Sequence, residues 1–100
     1  MHLMLRMAIA SAALVALATG ASAETISVTI KGMKFDPAEV TARVGDTIEW
    51  TNEDIVAHTA TERGKAFDLV IARGKVGTLL LETPGDIAYF CRFHPTMLGK

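Results

Sequence analysis

The chain has 100 residues, half of them hydrophobic, and carries ten Lys and Arg against eleven Asp and Glu. This length allows one domain at most, and the mixed, nearly balanced charge lacks the basic run that is typical of nucleic-acid binding. Much of the hydrophobic excess lies in the first stretch of the chain, so it does not indicate a membrane protein.

Residues 1–23 have the pattern of a secretory signal peptide. Arg6 gives a weakly cationic start, residues 7–18 are mostly apolar, and Ala21-Ser22-Ala23 has the small-x-small pattern of a cleavage site. An uncleaved membrane anchor is the alternative, although the apolar run is short for a bilayer span. We therefore expect a signal peptide over residues 1–23, a mature domain over residues 24–100, and export to the periplasm without stable membrane insertion.

The mature chain contains one cysteine, Cys91, and therefore cannot form an internal disulfide. A domain this small buries a modest core and commonly needs a disulfide or a metal for stability. A single cysteine in an exported chain pairs with another molecule, remains free or binds a ligand. A metal site would account for both the cysteine and the stability of the domain.

Short alternating segments separated by turn residues predict an antiparallel Greek-key sandwich. The predicted strands lie in residues 25–30, 40–44, 47–51, 75–82 and 87–91. Pro37 is expected to interrupt strand pairing, because it has no N–H group to donate. Residues 67–71 are compatible with either a strand or a single helical turn. The aromatic residues expected in the core are Phe35, Trp50 and Tyr89.

The mature chain also holds four residues whose side chains suit copper: His58, Cys91, His94 and Met97. The last three recur at three-residue intervals, and His58 is the other histidine of the mature chain. Two imidazoles and a thiolate with a weak axial thioether are typical of an electron-transfer copper site. Each residue alone has a plainer interpretation, as a surface histidine, a buried thiol, a strand end or core packing. Together they predict one mononuclear copper ion per chain.

These residues lie in motifs that resemble the cupredoxin family over essentially the whole mature chain, most strongly the amicyanins. The motifs are Met33-x-Phe35-x-Pro37, Val44-Gly45-Asp46-Thr47-x-x-Trp50-x-Asn52, His58-Thr59 and Gly85-x-x-x-Tyr89-x-Cys91-x-x-His94-Pro95-x-Met97. The resemblance implies an all-β, small Greek-key β-sandwich with one type-1 copper. It also implies that His58, Cys91 and His94 are the equatorial ligands and that Met97 is the axial ligand.

The resemblance further implies an apolar docking patch around the edge of His94, formed by Pro95, Met97 and either Met33 or Phe93. Thr59 is expected to hydrogen-bond toward the ligand loop and to hold the Cys91 segment, because outer contacts orient metal ligands.

The chain departs from the amicyanin pattern in two places. The gap between His58 and Cys91 is shorter, and the chain ends at Gly99-Lys100, where amicyanins continue into a last strand. We therefore expect the final strand to be missing, one sheet edge to be exposed, and Met97 to lie near a fraying terminus. A truncated sequence and a partner chain that covers the edge are two explanations.

The function implied by the resemblance is one-electron, outer-sphere transfer by a periplasmic blue-copper protein that cycles between Cu(II) and Cu(I). We expect a carrier and not an enzyme, because the ligand set leaves no position for a substrate. The partners would be a dehydrogenase of the methylamine type as donor and a c-type cytochrome as acceptor. The alternatives are a periplasmic copper-binding or delivery protein without redox turnover, and an immunoglobulin-like interaction module with a free cysteine.

Overall fold

The computed structural model describes residues 22–100, which form eight β-strands in two four-stranded sheets. The strands are β1 (Thr25–Ile30), β2 (Phe35–Asp36), β3 (Thr47–Asn52), β4 (His58–Glu62), β5 (Asp68–Ile71), β6 (Val76–Leu80), β7 (Tyr89–Phe90) and β8 (Leu98–Gly99). This architecture confirms the predicted all-β sandwich. In this part of the chain, no helix is long and apolar enough to cross a membrane. Apart from Ser22 and Ala23, the predicted signal peptide over residues 1–23 lies outside the described residues.

The first sheet has the strand order β2-β1-β3-β6, and the second has the order β5-β4-β7-β8. All pairs of the second sheet are antiparallel, whereas β1 and β3 of the first sheet are parallel, with Thr25 opposite Thr47. The prediction of a fully antiparallel sandwich is therefore wrong for this pair. The cause is the crossover through β2 and residues 37–46, which returns the chain to the end where β1 begins.

The core lies between the sheets and is built from alternate strand residues, because successive side chains of a strand point to opposite faces. Trp50 donates a hydrogen bond from Nε1 to the hydroxyl of Tyr89 over 3.1 Å. Phe35 packs edge-on against Tyr89, with ring centroids 4.8 Å apart. All three aromatic residues are buried, which confirms their predicted place in the core. The aliphatic core residues are Val28, Ile30, Ile48, Ala60 and Ile71.

Residues 40–44 alternate in sequence but form no strand within the described structure. The amide of Val40 donates to the carbonyl of Lys100 over 3.0 Å, and the amide of Lys100 donates to the carbonyl of Ala38 over 2.8 Å. The strand prediction is wrong here, because the amide of Val40 bonds to Lys100 and the amide of Arg43 bonds to the carboxylate of Asp46, instead of to a neighbouring strand. By contrast, β2 ends directly before Pro37, as predicted.

A short final strand is present, contrary to the expectation that it would be missing. Strand β8 pairs with β7, so that Leu98 lies opposite Phe90 and Gly99 lies opposite Tyr89. Gly99 is so close to the Tyr89 ring that a Cβ atom at this position would overlap it. The pairing and the backbone bonds of Lys100 hold this segment against the sandwich.

Four connections meet at one end of the sandwich: residues 31–34, 53–57, 72–75 and 91–97. The register brings them together, because β1 and β3 end side by side and β6 begins opposite the end of β3. Likewise, β5 ends where β4 begins, with Ile71 opposite His58. We refer to these four connections as the site end. The connections at the opposite end are residues 37–46, 63–67 and 81–88.

Candidate metal centre

Three of the predicted ligands converge at the site end. His58, Cys91 and His94 place their donor atoms within 4.8 Å of one another. The sulfur of Cys91 lies 3.8 Å from Nδ1 of His58 and 3.7 Å from Nδ1 of His94. His58 and Cys91 are fully buried, whereas His94 is partly exposed. The fold therefore assembles one thiol and two imidazoles from two separate segments.

The spacing of these donor atoms fits a shared metal ion. Metal–nitrogen and metal–sulfur bonds of about 2.0 and 2.3 Å that meet at about 120° separate the two donors by about 3.7 Å. The observed separations between sulfur and Nδ1 match this value. Imidazole and thiolate donors suit copper or zinc, whereas magnesium and calcium prefer oxygen ligands. This group of side chains can therefore hold a soft or borderline metal.

The segment 91–97 places His94 by bonding to itself. The amide of His94 donates to the carbonyl of Cys91 over 3.2 Å, and the amide of Met97 donates to the carbonyl of His94 over 2.9 Å. The amide of Cys91 closes the segment by donating to the carbonyl of Met97 over 3.1 Å. Met97 is only 3% exposed. The expectation of a fraying segment at Met97 is therefore wrong, because hydrogen bonds and burial hold it.

Asp54 orients His58, although the sequence did not identify it as a site residue. Its Oδ2 lies 2.8 Å from Nε2 of His58, and the carboxylate accepts the amides of Gly32 and Met33 over 2.8 and 3.0 Å. Burial opposes ionisation, but the amides of Met33 and Gly32 and the imidazole together hold the pKa of Asp54 below its usual value. An ionised carboxylate requires a proton on Nε2, which leaves Nδ1 of neutral His58 free to bind a metal.

Asn52 shapes the connection that carries Asp54. Its buried side chain donates to the carbonyls of Val56 and Ile71 over 2.9 and 3.0 Å, and its Oδ1 accepts the amide of Asp54 over 2.9 Å. Asn is a turn signal in a sequence, because its side chain can hydrogen-bond to the backbone two residues ahead. That signal predicts the turn, but it does not reveal that Asp54 contacts His58.

Thr59 holds Cys91 through both its backbone and its side chain, which confirms the predicted contact. Its amide donates to the sulfur of Cys91 over 3.3 Å, and its Oγ1 accepts the amide of Arg92 over 2.8 Å. These two bonds fix the position of the sulfur, which is the atom that would bind a metal.

A chain of polar contacts continues from Thr59 to the surface. The Oγ1 of Thr59 lies 2.9 Å from the Oγ1 of Thr61. The Thr61 hydroxyl donates to the carboxylate of Asp68 over 2.7 Å. Arg92 donates from Nε to the same carboxylate over 2.9 Å. The Arg92 side chain and the Thr61 hydroxyl hold the pKa of Asp68 below its usual value. Sequence reasoning missed this chain, because its members lie on three separate segments.

The predicted apolar patch is partly correct. Met33 and Phe93 are exposed at the site end, and so is Pro95, but Met97 is buried and does not contribute to the patch. The alternation of β8 explains this correction, since Leu98 takes the outward position and its neighbours point inward. The structure adds two exposed residues of the second connection, which are Ile55 and Val56.

Comparisons with known proteins agree with this fold. A family model described as "Cupredoxin-like domain" matches residues 3–100. An amicyanin from Paracoccus versutus is 30% identical over 84 residues, which cover 78% of this chain and 64% of the relative. A chloroplastic plastocyanin from Tetradesmus obliquus is 34% identical over 80 residues, which cover 66% of this chain and 55% of the relative. The chain therefore spans less than two thirds of the length of both relatives.

Solved structures share this architecture. A mutant amicyanin with Cu(I) has a TM-score of 0.67 at 27% identity, with 84% of both chains covered. The crystal structure of amicyanin from Paracoccus versutus has a TM-score of 0.65 at 27% identity and covers 84% of this chain and 83% of that one. A copper-containing nitrite reductase from Thermus scotoductus has a TM-score of 0.66 at 26% identity. That alignment covers 75% of this chain but only 21% of the enzyme.

The matching family includes the electron-transfer proteins amicyanin and plastocyanin, which are carriers and not enzymes. Its cofactor is one type-1 copper ion, which confirms the copper predicted from the sequence. The resemblance to amicyanins found in the sequence motifs is also confirmed. Because the family model matches nearly the whole chain, this protein belongs to the family of cupredoxin-like domains.

Proposed function

We propose that this protein carries single electrons by means of one mononuclear type-1 copper ion. In this proposal His58, Cys91 and His94 would bind the metal, and Met97 would supply a weak fourth ligand. The observation that carries the proposal is the convergence of two imidazole nitrogens and one thiol sulfur within 4.8 Å of one another. Met97 is buried and bonds through its backbone to Cys91 and His94, which supports its assignment.

Bound copper would supply a Cu(II)/Cu(I) couple, because thiolate and thioether ligands favour Cu(I) while imidazoles accept either state. The contribution of the chain is to hold the donor atoms in place. Asp54 fixes the ring of His58, and Thr59 fixes the sulfur of Cys91. Both of these ligands are fully buried. Packing therefore limits their rearrangement and keeps water away from them.

The exposure of His94 favours electron transfer over metal delivery. Of the three converging ligands it alone reaches the surface, where the exposed residues Phe93 and Pro95 flank it in sequence. A partner can therefore approach the edge of this ring without entering the site. A delivery protein would have to release its metal, whereas the contacts of Asp54 and Thr59 hold two ligands in fixed positions.

The predicted signal peptide over residues 1–23 supports a location in the periplasm. The resemblance to amicyanins supports redox proteins as partners, with a dehydrogenase as donor and a c-type cytochrome as acceptor. Four side chains around one metal leave no position for a substrate, which supports a carrier without enzymatic activity.

Titration of the purified mature protein with Cu(II), followed by optical and EPR spectroscopy, tests the proposed function. We expect one copper per chain, an intense blue thiolate charge-transfer band and a narrow copper hyperfine splitting. The Cys91→Ala variant should lack the blue band, and its persistence would show that the ligand assignment is wrong. Binding of Cu(I) without a blue Cu(II) form would favour delivery. The absence of stoichiometric binding would overturn both functions.

A further inference from the structure

The site end, which also carries His94, presents exposed apolar side chains. Four large apolar residues in its connections are exposed, namely Met33 at 41%, Ile55 at 76%, Val56 at 42% and Phe93 at 47%. Exposed apolar groups gathered at one end of a small protein mark a surface for interaction.

Hydrogen bonds join three of the four connections of the site end, residues 31–34, 53–57 and 72–75. Asp54 accepts the amides of Gly32 and Met33, which ties the second connection to the first. The carbonyl of Asn52 accepts the amide of Gly74 over 3.0 Å, which ties the third connection to the base of the second. A surface held in this way loses little conformational entropy when it binds a partner.

The same connections carry more cations than carboxylates. Their five cations are exposed, and only two acids accompany them, Glu53 and Asp54. Within residues 22–100 the ion pairs are Arg92 with Asp68 and His58 with Asp54, so four of these cations are unpaired. We call these four the cationic rim: Lys31, Lys34, Arg73 and Lys75.

The opposite end of the sandwich has the reverse balance. Its three connections carry three cations and four carboxylates. From residue 24 onward the chain has nine Lys and Arg against eleven Asp and Glu, so the net charge of the domain is negative. The site end is positive although the domain as a whole is negative. The molecule therefore presents opposite charges at its two ends.

We propose that the site end docks onto a protein redox partner whose electron-transfer face has an apolar centre and an acidic border. This inference rests on the proposed function, since it states the surface chemistry of the partner. The cationic rim attracts carboxylates during approach and turns the His94 end toward them, while it repels a basic partner. Because salt screens such charges over about 10 Å at about 0.1 M, the attraction must weaken as the salt concentration rises.

A matched pair of protein probes tests the charge of the partner. The probes are a basic c-type cytochrome and the same cytochrome with its lysines succinylated, and the readout is the rate of electron transfer with the copper-loaded protein. The rate with the acidic form should fall about 10-fold between about 0.01 and about 0.5 M salt, whereas the rate with the basic form should rise. A rate that falls with salt for the basic form, or equal salt dependence for both forms, would overturn the proposal.

Charge reversals locate the attraction on the molecule. Lys34→Glu and Lys75→Glu change the rim, and Lys65→Glu makes the same change of charge at the opposite end. Each rim variant should lower the low-salt rate with the succinylated cytochrome about 2- to 5-fold, and Lys65→Glu should leave it nearly unchanged. Circular dichroism checks that all three variants fold. An equal loss in Lys65→Glu would show that net charge, and not the rim, governs the rate.

A measurement on the copper-free protein distinguishes failure of this docking proposal from failure of the proposed function. Hexacyanochromate(III) is a paramagnetic trianion that broadens the amide NMR signals of residues near it. In the copper-free protein it should broaden signals of residues 31–34 and 72–75, and Lys75→Glu should weaken this effect. Uniform broadening, or broadening at the opposite end, would overturn the docking surface even if copper binds. Broadening at the site end of a protein that fails to bind copper would support the surface and overturn the function.

Discussion

The Oδ2 atom of Asp54 lies 2.8 Å from Nε2 of His58, and the same carboxylate accepts the backbone amides of Gly32 and Met33. These two amides belong to a tight turn in which both residues have positive φ, at 63° and 62°. One carboxylate thus connects a turn of the first sheet to an imidazole of the second. The contact at Nε2 directs Nδ1 toward the sulfur of Cys91.

Replacement of Asp54 with alanine should weaken metal binding about 10- to 100-fold, because a ligand imidazole without its carboxylate partner is less basic and less well oriented. Competition titration against a chelator of known affinity measures the loss. Asp54→Asn is the matched control, since it keeps an accepting oxygen but removes the charge. Its metal affinity should lie between that of the unaltered protein and that of the alanine variant. An alanine variant that binds as tightly as the unaltered protein would contradict the orienting role.

Replacement of Thr59 with valine should lower the free energy of unfolding by about 1–3 kcal/mol, because the amide of Arg92 would lose its acceptor. Urea unfolding of the copper-free protein measures the change. Thr59→Ser keeps the hydroxyl and should recover most of the stability. If the valine variant unfolds at the same urea concentration as the serine variant, the hydroxyl does not hold the ligand segment.

Replacement of Gly99 with alanine should destabilise the fold by about 1–3 kcal/mol or more, because the new Cβ would overlap the ring of Tyr89. That ring cannot move freely, since it bonds to Trp50 and packs on Phe35. Thermal and urea unfolding measure the loss. Leu98→Ala in the same strand is the control and should cost below about 1 kcal/mol, because Leu98 is 54% exposed. Similar losses in both variants would argue against the close contact.

Asp46 should make stability depend on pH. Its carboxylate accepts the amides of Glu24 and Arg43 over 2.9 and 2.8 Å, and these bonds hold its pKa below the usual value. A carboxyl whose pKa is lower in the folded state stabilises the fold at neutral pH, and this contribution disappears as the pH falls through the folded value. Asp46→Asn should therefore be less stable near neutral pH and should lose less stability on acidification.

Urea unfolding at a series of pH values between about 7 and about 2 tests this dependence. Some pH dependence should remain in the Asp46→Asn variant, because the pKa values of Asp54 and Asp68 are lowered as well. A variant whose stability falls more steeply with acid than that of the unaltered protein would contradict the assignment.

Local patterns were sufficient to predict the metal chemistry and several strands. Cys91, His94 and Met97 stand three residues apart, so their donor types are visible within one short segment. The predicted strands over residues 25–30 and 47–51 agree with β1 and β3 to within one residue. They are predictable because the alternation of apolar side chains is a property of each strand alone.

Contacts between distant segments required the folded chain. Asp54 reaches His58 and the turn at Gly32 at the same time, and no sequence spacing reveals that a carboxylate joins them. Residues 40–44 alternate like a strand, yet the amides of Val40 and Arg43 bond to Lys100 and to the carboxylate of Asp46 instead of to a neighbouring strand. Cations that are mixed along the sequence gather at the site end, because every second connection of the strand path returns to that end. Residue spacing thus specifies local structure and ligand type, whereas long-range strand pairing positions the ligands, their supporting groups and the surface charge.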